Sequence, residues 1–109
     1  MTKIHYTPEA EQDLHEIKSY IETELKSKSA ANKVLTEITK RIRMLENFPR
    51  SGRRLSAIID IETDYRFIGC GSYLAFYRVE DDDVYIIRII HSRRDYIAIL
   101  IGELPLDVH

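Results

Sequence analysis

Apolar residues at helical spacing occupy the first half of this 109-residue chain, and β-forming segments occupy the second half. The first helical stripe comprises Ala10, Leu14, Ile17, Ile21 and Leu25. The second stripe comprises Ala31, Val34, Leu35, Ile38, Ile42 and Leu45. Intervals of three and four place each set on one face of a helix. Two helices joined by a short polar break form an antiparallel hairpin, and both stripes need a further surface to cover them.

The helix ends are marked by residues that suit helix caps and breaks. Thr7 has a side chain that can cap a helix, and Pro8 needs no N–H at a first helical position, so we expect the first helix to run from about Pro8 to Leu25. Ser29, in the polar break Lys26–Ser29, is the expected cap of the second helix. We expect Pro49 and Gly52 to end the second helix.

The second half supplies strands. Residues 65–68, 73–79 and 84–91 are rich in Tyr, Ile, Val and Phe and are bounded by turn-forming residues, which predicts three antiparallel strands. Residues 2–6 are expected to add a short strand at one edge. The predicted fold class is therefore α+β, with an N-terminal helical hairpin packed on a small antiparallel β-sheet. Residues 53–64 are compatible with a short helix, an irregular loop or a further strand.

Length and composition indicate one domain over residues 1–109, without a disulfide, a structural metal or a cofactor. The single cysteine, Cys70, lies between two glycines, where we expect a small turn residue rather than a nucleophile. One cysteine and four scattered histidines lack the paired spacing of zinc ligands. No run approaches the roughly 20 apolar residues of a membrane span, so we expect a cytoplasmic protein. A disordered tail over residues 102–109 is left open, and Pro105 disfavours a continued helix there.

Positive charge is unevenly distributed. All six lysines lie at or before Lys40, and all ten arginines lie at or after Arg41. The net charge of −2 does not suggest a general nucleic-acid binder. Local groups of arginines can still contact phosphate or carboxylate groups.

The segment Ile89–Tyr96 brings reactive side chains to the end of an apolar strand. It contains His91, Arg93, Arg94, Asp95 and Tyr96. Metal-free RNA cleavage uses an acid or base such as His or Tyr, and Arg to stabilise the developing charge. On chemistry alone we favour a structural interpretation, in which His91 finishes a strand and Arg93, Arg94 and Asp95 cap the following turn with surface ion pairs worth ~0–1 kcal/mol each.

Arg88 interrupts the apolar residues of the same strand. We assign it to the face that carries Val84, Ile86 and Ile90. A buried arginine needs a carboxylate partner or costs several kcal/mol. The interpretation that we favour places Arg88 at a functional surface or extending over an edge of the sheet.

Several segments resemble the ParE/RelE toxin superfamily of bacterial type II toxin–antitoxin systems. They are Tyr6–Leu14, Leu45–Pro49 with Gly52, Tyr73–Val79 and Ile89–Tyr96. The resemblance covers residues 4–100 and implies the helical hairpin on a sheet that the pattern also predicts. It further implies a toxin that arrests growth, of the kind that stabilises plasmids. The resemblance also implies a partner, a cognate antitoxin whose disordered tail folds over the toxin.

The resemblance to the ParE branch implies a poison of DNA gyrase, and its expected target-binding residues are Arg88, Arg93 and Arg94. This protein would not itself be an enzyme. The strand end of the chain resembles this branch, in which Ile-His, a charged pair, Asp and an apolar residue recur. A third hypothesis is a homologue that binds its antitoxin without being toxic.

The RelE branch implies the alternative function, a ribosome-dependent mRNA endonuclease with the ribosome and mRNA as partners. The candidate catalytic residues are Arg66, His91, Arg94 and Tyr96. Two departures count against this branch. Leu74 occupies the place where the nucleases have an arginine, and Arg66 alone matches their lysine pair. The ParE-like function is therefore the favoured prediction.

Overall fold

The computed structural model describes residues 2–102. In chain order the elements are β1 Ile4–Tyr6, α1 Pro8–Glu24, α2 Lys28–Arg43, a 3₁₀ turn Met44–Glu46, β2 Arg53–Arg54, a 3₁₀ turn Leu55–Ala57, β3 Arg66–Cys70, β4 Tyr73–Glu80, β5 Asp83–His91 and α3 Tyr96–Ile101. The two long helices pack on one face of a five-stranded sheet, which confirms the predicted α+β class.

The capping residue predicted for α1 is confirmed, whereas the one predicted for α2 is wrong. The Thr7 hydroxyl accepts a hydrogen bond from the backbone N–H of Ala10 at 3.1 Å, and α1 ends one residue before Leu25. The N-cap of α2 is Ser27, not Ser29. Ser27 has the extended backbone that a cap needs, and its hydroxyl accepts from Ala30 N–H at 3.1 Å.

The sheet is mixed, with strand order β1-β5-β4-β3-β2. The pairs β3–β4 and β4–β5 are antiparallel, as predicted. The N-terminal strand β1 does lie at an edge, but it runs parallel to β5, with Ile4 opposite Val84 and Tyr6 opposite Ile86. Because β1 ends at Tyr6, it does not pair with β5 beyond Ile86, and α1 lies beside that part of the outer edge.

A β-bulge in β5 changes which residues share a face. Tyr77 pairs with Ile86 and Phe76 pairs with Arg88, so Ile87 is the extra residue. Before the bulge, Ile86 packs with the helices, whereas beyond it Ile90 packs with Phe76 on the opposite face. The prediction that Val84, Ile86 and Ile90 share one face is therefore wrong, because a one-residue shift exchanges the two sides of a strand.

A second apolar cluster covers the sheet face that lies away from α1 and α2. Its buried members are Leu55, Tyr65, Phe76, Ile90 and Leu100. Residues 53–64 combine all three of the structures left open: a two-residue strand, a short helical turn and then an irregular segment. Together with α3 they form the cover on this face. The sequence did not predict α3.

Cys70 is the last residue of β3 and lies in the core, so the turn after the strand predicted to end at residue 68 begins at Gly71, two residues later than expected. Burial raises the pKa of its thiol to about 11, which keeps it protonated and unreactive near neutral pH. None of the helices between residues 2 and 102 is long and apolar enough to span a bilayer. The question of a tail falls beyond Gly102, outside the described residues.

Candidate functional site: a groove between the first helix and the sheet

A groove of about 600 Å³ lies between α1, the start of α2 and the ends of β4 and β5. Apolar side chains line much of it: Ile17, Ile21, Leu25, Val34 and Ile89. Asp13 and Glu16 lie along the side formed by α1, and His91 and Arg94 lie on the side formed by the sheet. The groove is thus apolar inside, with acidic and basic groups on opposite sides.

Exposed apolar residues belong to this groove. Tyr20 is 62% exposed and Leu25 is 65% exposed, and both line it. Side chains of this size are mostly covered in folded proteins, so a contiguous exposed set indicates a contact surface. The predicted apolar stripe of α1 includes Leu25, but no residue pattern indicates that the end of this stripe is exposed.

His91 ends β5 on the groove side of the sheet. Its ring makes an edge contact with the ring of Tyr73, with centroids 5.1 Å apart. The Nδ1 atom accepts a hydrogen bond from the backbone N–H of Arg93 at 3.1 Å, and the His91 carbonyl accepts from Arg94 N–H at 3.0 Å. Burial raises the pKa of Tyr73, so its hydroxyl is a neutral hydrogen-bonding group.

The turn after β5 presents charged side chains to solvent. Arg93, Arg94 and Asp95 are all exposed. Asp95 caps α3, accepting from Ala98 N–H at 3.3 Å. Neither arginine forms an ion pair with any residue between 2 and 102, so the interpretation of this cluster as surface ion pairs does not hold there. Two guanidinium groups on a hydrogen-bonded turn can bind carboxylate or phosphate groups.

Arg88 does have a carboxylate partner. Its Nε and Nη2 atoms donate to the two oxygens of Asp13 at 2.7 and 2.9 Å, and the Asp13 and Arg88 side chains are 7% and 16% exposed. Asp13 also accepts from the backbone N–H of Ile89 at 2.9 Å. The favoured interpretation, with Arg88 at a functional surface or extending over an edge, is therefore replaced by the other: a buried ion pair that fixes α1 to the free edge of β5.

Sequence reasoning missed Asp13, although a signal was present. Asp13 lies three residues after Ala10 and four before Ile17, on the face of α1 that the apolar stripe assigns to the core. A carboxylate at such a position requires a buried partner. Arg88 is likewise a charged residue among the isoleucines of β5, so it too requires a partner of opposite charge if it is buried.

The structure does not bring Arg66 to the groove. Arg66 pairs with Tyr77 on β4, whereas His91 pairs with Tyr73, four residues along the same strand. At about 3.3 Å per residue, these levels of the sheet are separated by about 13 Å along the strand. The Arg66 guanidinium donates to the carbonyl of Gly52 at 2.9 Å and so holds the segment before β2.

Tyr96 also lies away from His91. Its ring packs near Phe76 at 5.6 Å, in the cluster on the opposite face of the sheet. Of the four candidate catalytic residues, only His91 and Arg94 line the groove. The groove is suited to binding an amphipathic segment, one that carries apolar side chains on one face and charged side chains beside them.

Comparison with known proteins agrees with this architecture. Residues 4–96 match the family model of the ParE toxin of the type II toxin–antitoxin system parDE. The chain belongs to this family. It is a type II toxin of the ParE/RelE superfamily, which confirms the resemblance found in its sequence. No curated protein is a significant match.

Solved structures of toxins share the ParE fold seen here. The chromosomal ParDE toxin–antitoxin system from P. aeruginosa matches with a TM-score of 0.70 at 20% identity, over 84% of this chain and 96% of the other. The toxin–antitoxin complex RelBE2 from Mycobacterium tuberculosis matches with a TM-score of 0.54 at 22% identity, over 83% and 96%. The isolated E. coli RelE toxin matches with a TM-score of 0.53 at 16% identity, over 95% and 100%.

Proposed function

We propose that this ParE-family toxin acts by poisoning DNA gyrase and does not itself cleave nucleic acid. One observation carries the proposal: Arg66 and Tyr96 lie away from the groove that holds His91 and Arg94. A metal-free nuclease needs its acid, base and phosphate-binding groups around one scissile bond. A poison that binds its target needs only an accessible, rigid surface.

The target-binding residues in this proposal are Arg93 and Arg94. Both are exposed, and backbone hydrogen bonds to His91 fix the turn that carries them. Arg88 has a positioning role instead, because Asp13 binds its guanidinium and thereby fixes the strand that leads to the turn.

The groove supports a cognate antitoxin as the second partner. An amphipathic helix binds by placing its apolar side chains in a groove of this kind. Val34 and Ile89 line the groove, and exposed Tyr20 and Leu25 offer further apolar area. Acidic antitoxin residues that reach Arg94 would cover the target-binding turn, so that filling the groove also neutralises the toxin.

A paired assay on purified, antitoxin-free protein tests the proposed target. One reaction contains gyrase and supercoiled plasmid, and the other contains translating ribosomes with mapping of mRNA ends. We expect cleaved or incompletely supercoiled plasmid with intact mRNA. Codon-phased mRNA cuts with normal gyrase would contradict the proposal and favour the endonuclease, with His91, Arg94, Tyr96 and Arg66 as residues to mutate. Inactivity in both reactions with antitoxin binding intact would favour the non-toxic homologue.

A double variant tests the target-binding turn. We expect Arg93→Ala/Arg94→Ala to weaken gyrase inhibition by about tenfold or more, because paired charged groups at binding sites contribute on this scale. Lys18→Ala/Lys33→Ala is the control, since it removes two exposed cations elsewhere. Gyrase inhibition that is unchanged in the arginine variant would remove this turn from the mechanism.

A further inference from the structure

A second exposed surface lies at the far end of α2 from the groove. It combines two apolar side chains, Met44 at 52% and Phe48 at 65% exposure, with three exposed arginines. We call this set the arginine surface; its members are Arg43, Met44, Phe48, Arg50 and Arg54. In β2, Arg54 pairs with Arg66, which pairs with Tyr77, so Arg54 lies on the sheet face that carries the helices. Residues 41–54 contain five arginines, one glutamate and no lysine, a local charge of +4 in a chain whose net charge is −2.

The backbone beneath the arginine surface is fixed. The N–H of Phe48 donates to the Met44 carbonyl at 3.2 Å, and Leu45 between them is fully buried. The backbone N–H of Gly52 donates to the Tyr77 hydroxyl at 2.8 Å. Added to the bond from Arg66 to the Gly52 carbonyl, these contacts hold the exposed side chains on a rigid base, which lowers the ordering cost of binding.

The composition of this surface fits a protein partner. Phe, Met and Arg are enriched at protein–protein interfaces, and Lys and Glu are depleted. Between residues 2 and 102, the ion pair found for these arginines is that of Arg50, which lies 4.0 Å from Asp82, and both of those side chains are largely exposed. Carboxylates bind guanidinium groups in pairs of hydrogen bonds, so the complementary partner is acidic.

We infer that the arginine surface docks an acidic segment of the toxin's protein target, with an apolar side chain of that segment between Met44 and Phe48. The inference rests on the proposed function in one respect, that toxicity acts through a protein target. It adds a second contact region to the turn that carries Arg93 and Arg94.

Position and area favour the target over the antitoxin as the occupant. Met44 follows Val34 in the groove by ten residues, which is about 15 Å along a helix, so a helix that fills the groove leaves the arginine surface uncovered. A stable interface buries about 800 Å² of each partner. Two arginines on one turn supply a small part of that area, so a folded target needs a further contact region.

Two variants test the surface independently. Met44→Ala/Phe48→Ala removes its apolar side chains, and Arg50→Ala/Arg54→Ala removes two of its charges. Lys18→Ala/Lys33→Ala serves as the charge-matched control, and thermal unfolding establishes that each variant is folded. Binding to immobilised gyrase is measured by biolayer interferometry at two salt concentrations, alongside binding to naked DNA and growth arrest on expression.

We expect each surface variant to bind gyrase about tenfold more weakly or worse, and to arrest growth correspondingly less. The control should remain within about twofold of wild type. The defect of the arginine variant should shrink at higher salt, because screening weakens the same charges in wild type. Affinity for naked DNA should not change between wild type and variants.

The outcomes separate this inference from the proposed function. Gyrase binding that is unaffected in both folded variants would overturn the inference and leave the proposed target standing. Growth arrest that requires the arginine surface, in a toxin that does not bind gyrase, would support the inference and reject gyrase. Loss of DNA affinity parallel to the loss of activity would make the surface a nucleic-acid site and overturn the inference. A wild-type chain that neither binds gyrase nor arrests growth would reject both.

Discussion

Removing Asp13 should destabilise the fold more than most substitutions at exposed positions. In the Asp13→Ala variant the Arg88 guanidinium loses its two hydrogen bonds to Asp13, and the Ile89 N–H loses its acceptor. Breaking a buried ion pair from one side costs about 3–5 kcal/mol, because the remaining charge stays buried and loses its counterion. For a domain whose total stability is about 5–15 kcal/mol, this is a large fraction.

A paired substitution isolates the charge from the packing. Asp13→Asn keeps an oxygen that can accept from the Ile89 N–H, and Arg88→Met keeps much of the side-chain length. Replacing both members of a buried pair is often close to neutral. We therefore expect the double variant to be far more stable than the sum of the two single losses predicts, with a coupling energy of about 2 kcal/mol or more.

Urea unfolding measures these differences. The chain has no tryptophan and seven tyrosines, so tyrosine fluorescence and circular dichroism are suitable signals. At about 1.5 kcal/mol per molar urea, a loss of about 3 kcal/mol lowers the midpoint by about 2 M. A shift below about 0.5 M for Asp13→Ala, or single losses that simply add in the double variant, would refute the argument that this ion pair fixes α1 to β5.

Three further predictions concern other parts of the chain. His91→Ala should leave gyrase inhibition within a few-fold in titrations, whereas a nuclease that used this base would lose about a hundredfold in rate. Gly52→Ala should lower the free energy of unfolding, measured by thermal unfolding, by about 1–3 kcal/mol, because a Cβ there would lie 2.9 Å from the backbone oxygen of Phe67. Gly69→Ala is the control, because a Cβ at Gly69 would meet no atom within 4 Å. A hydrogen bond from His5 lowers the pKa of Asp83 below its usual value of 3.8. This hydrogen bond therefore stabilises the fold above pH 3.8, and its contribution is lost as the pH falls through the lowered pKa of Asp83. Asp83→Asn should therefore flatten the acid side of the stability profile, and an unchanged profile in acid unfolding would contradict this.

The elements predicted well are those whose signals are local. The Thr7-Pro8 start and an apolar stripe over four turns specify α1, and three β-rich runs specify β3, β4 and β5. The polar break between the helices contains two serines, Ser27 and Ser29, and either has a side chain that can cap a helix. Which serine takes the extended backbone depends on how the hairpin closes, and this is not encoded in residue type alone.

The far face of the sheet depends on contacts that the sequence does not announce. The apolar run at Ile58–Ile61 and the six-residue helix α3 are too short to show a clear period. They become structured by packing on Phe76 and Ile90. The bulge at Ile87 leaves no sequence signal either, because it is a property of the pairing between β4 and β5.

That bulge also decides where the candidate site lies. Side chains alternate along a strand, so without the extra residue His91 would lie on the opposite face from Val84 and Ile86. With it, Ile89 and His91 face α1 and line the groove. Two residues beyond the bulge, the N–H of Ile89 donates to Asp13, and the Asp13–Arg88 pair holds α1 beside the displaced strand. The groove is therefore a product of pairing geometry and one buried ion pair, which is why the sequence located the segment Ile89–Tyr96 but not the surface it faces.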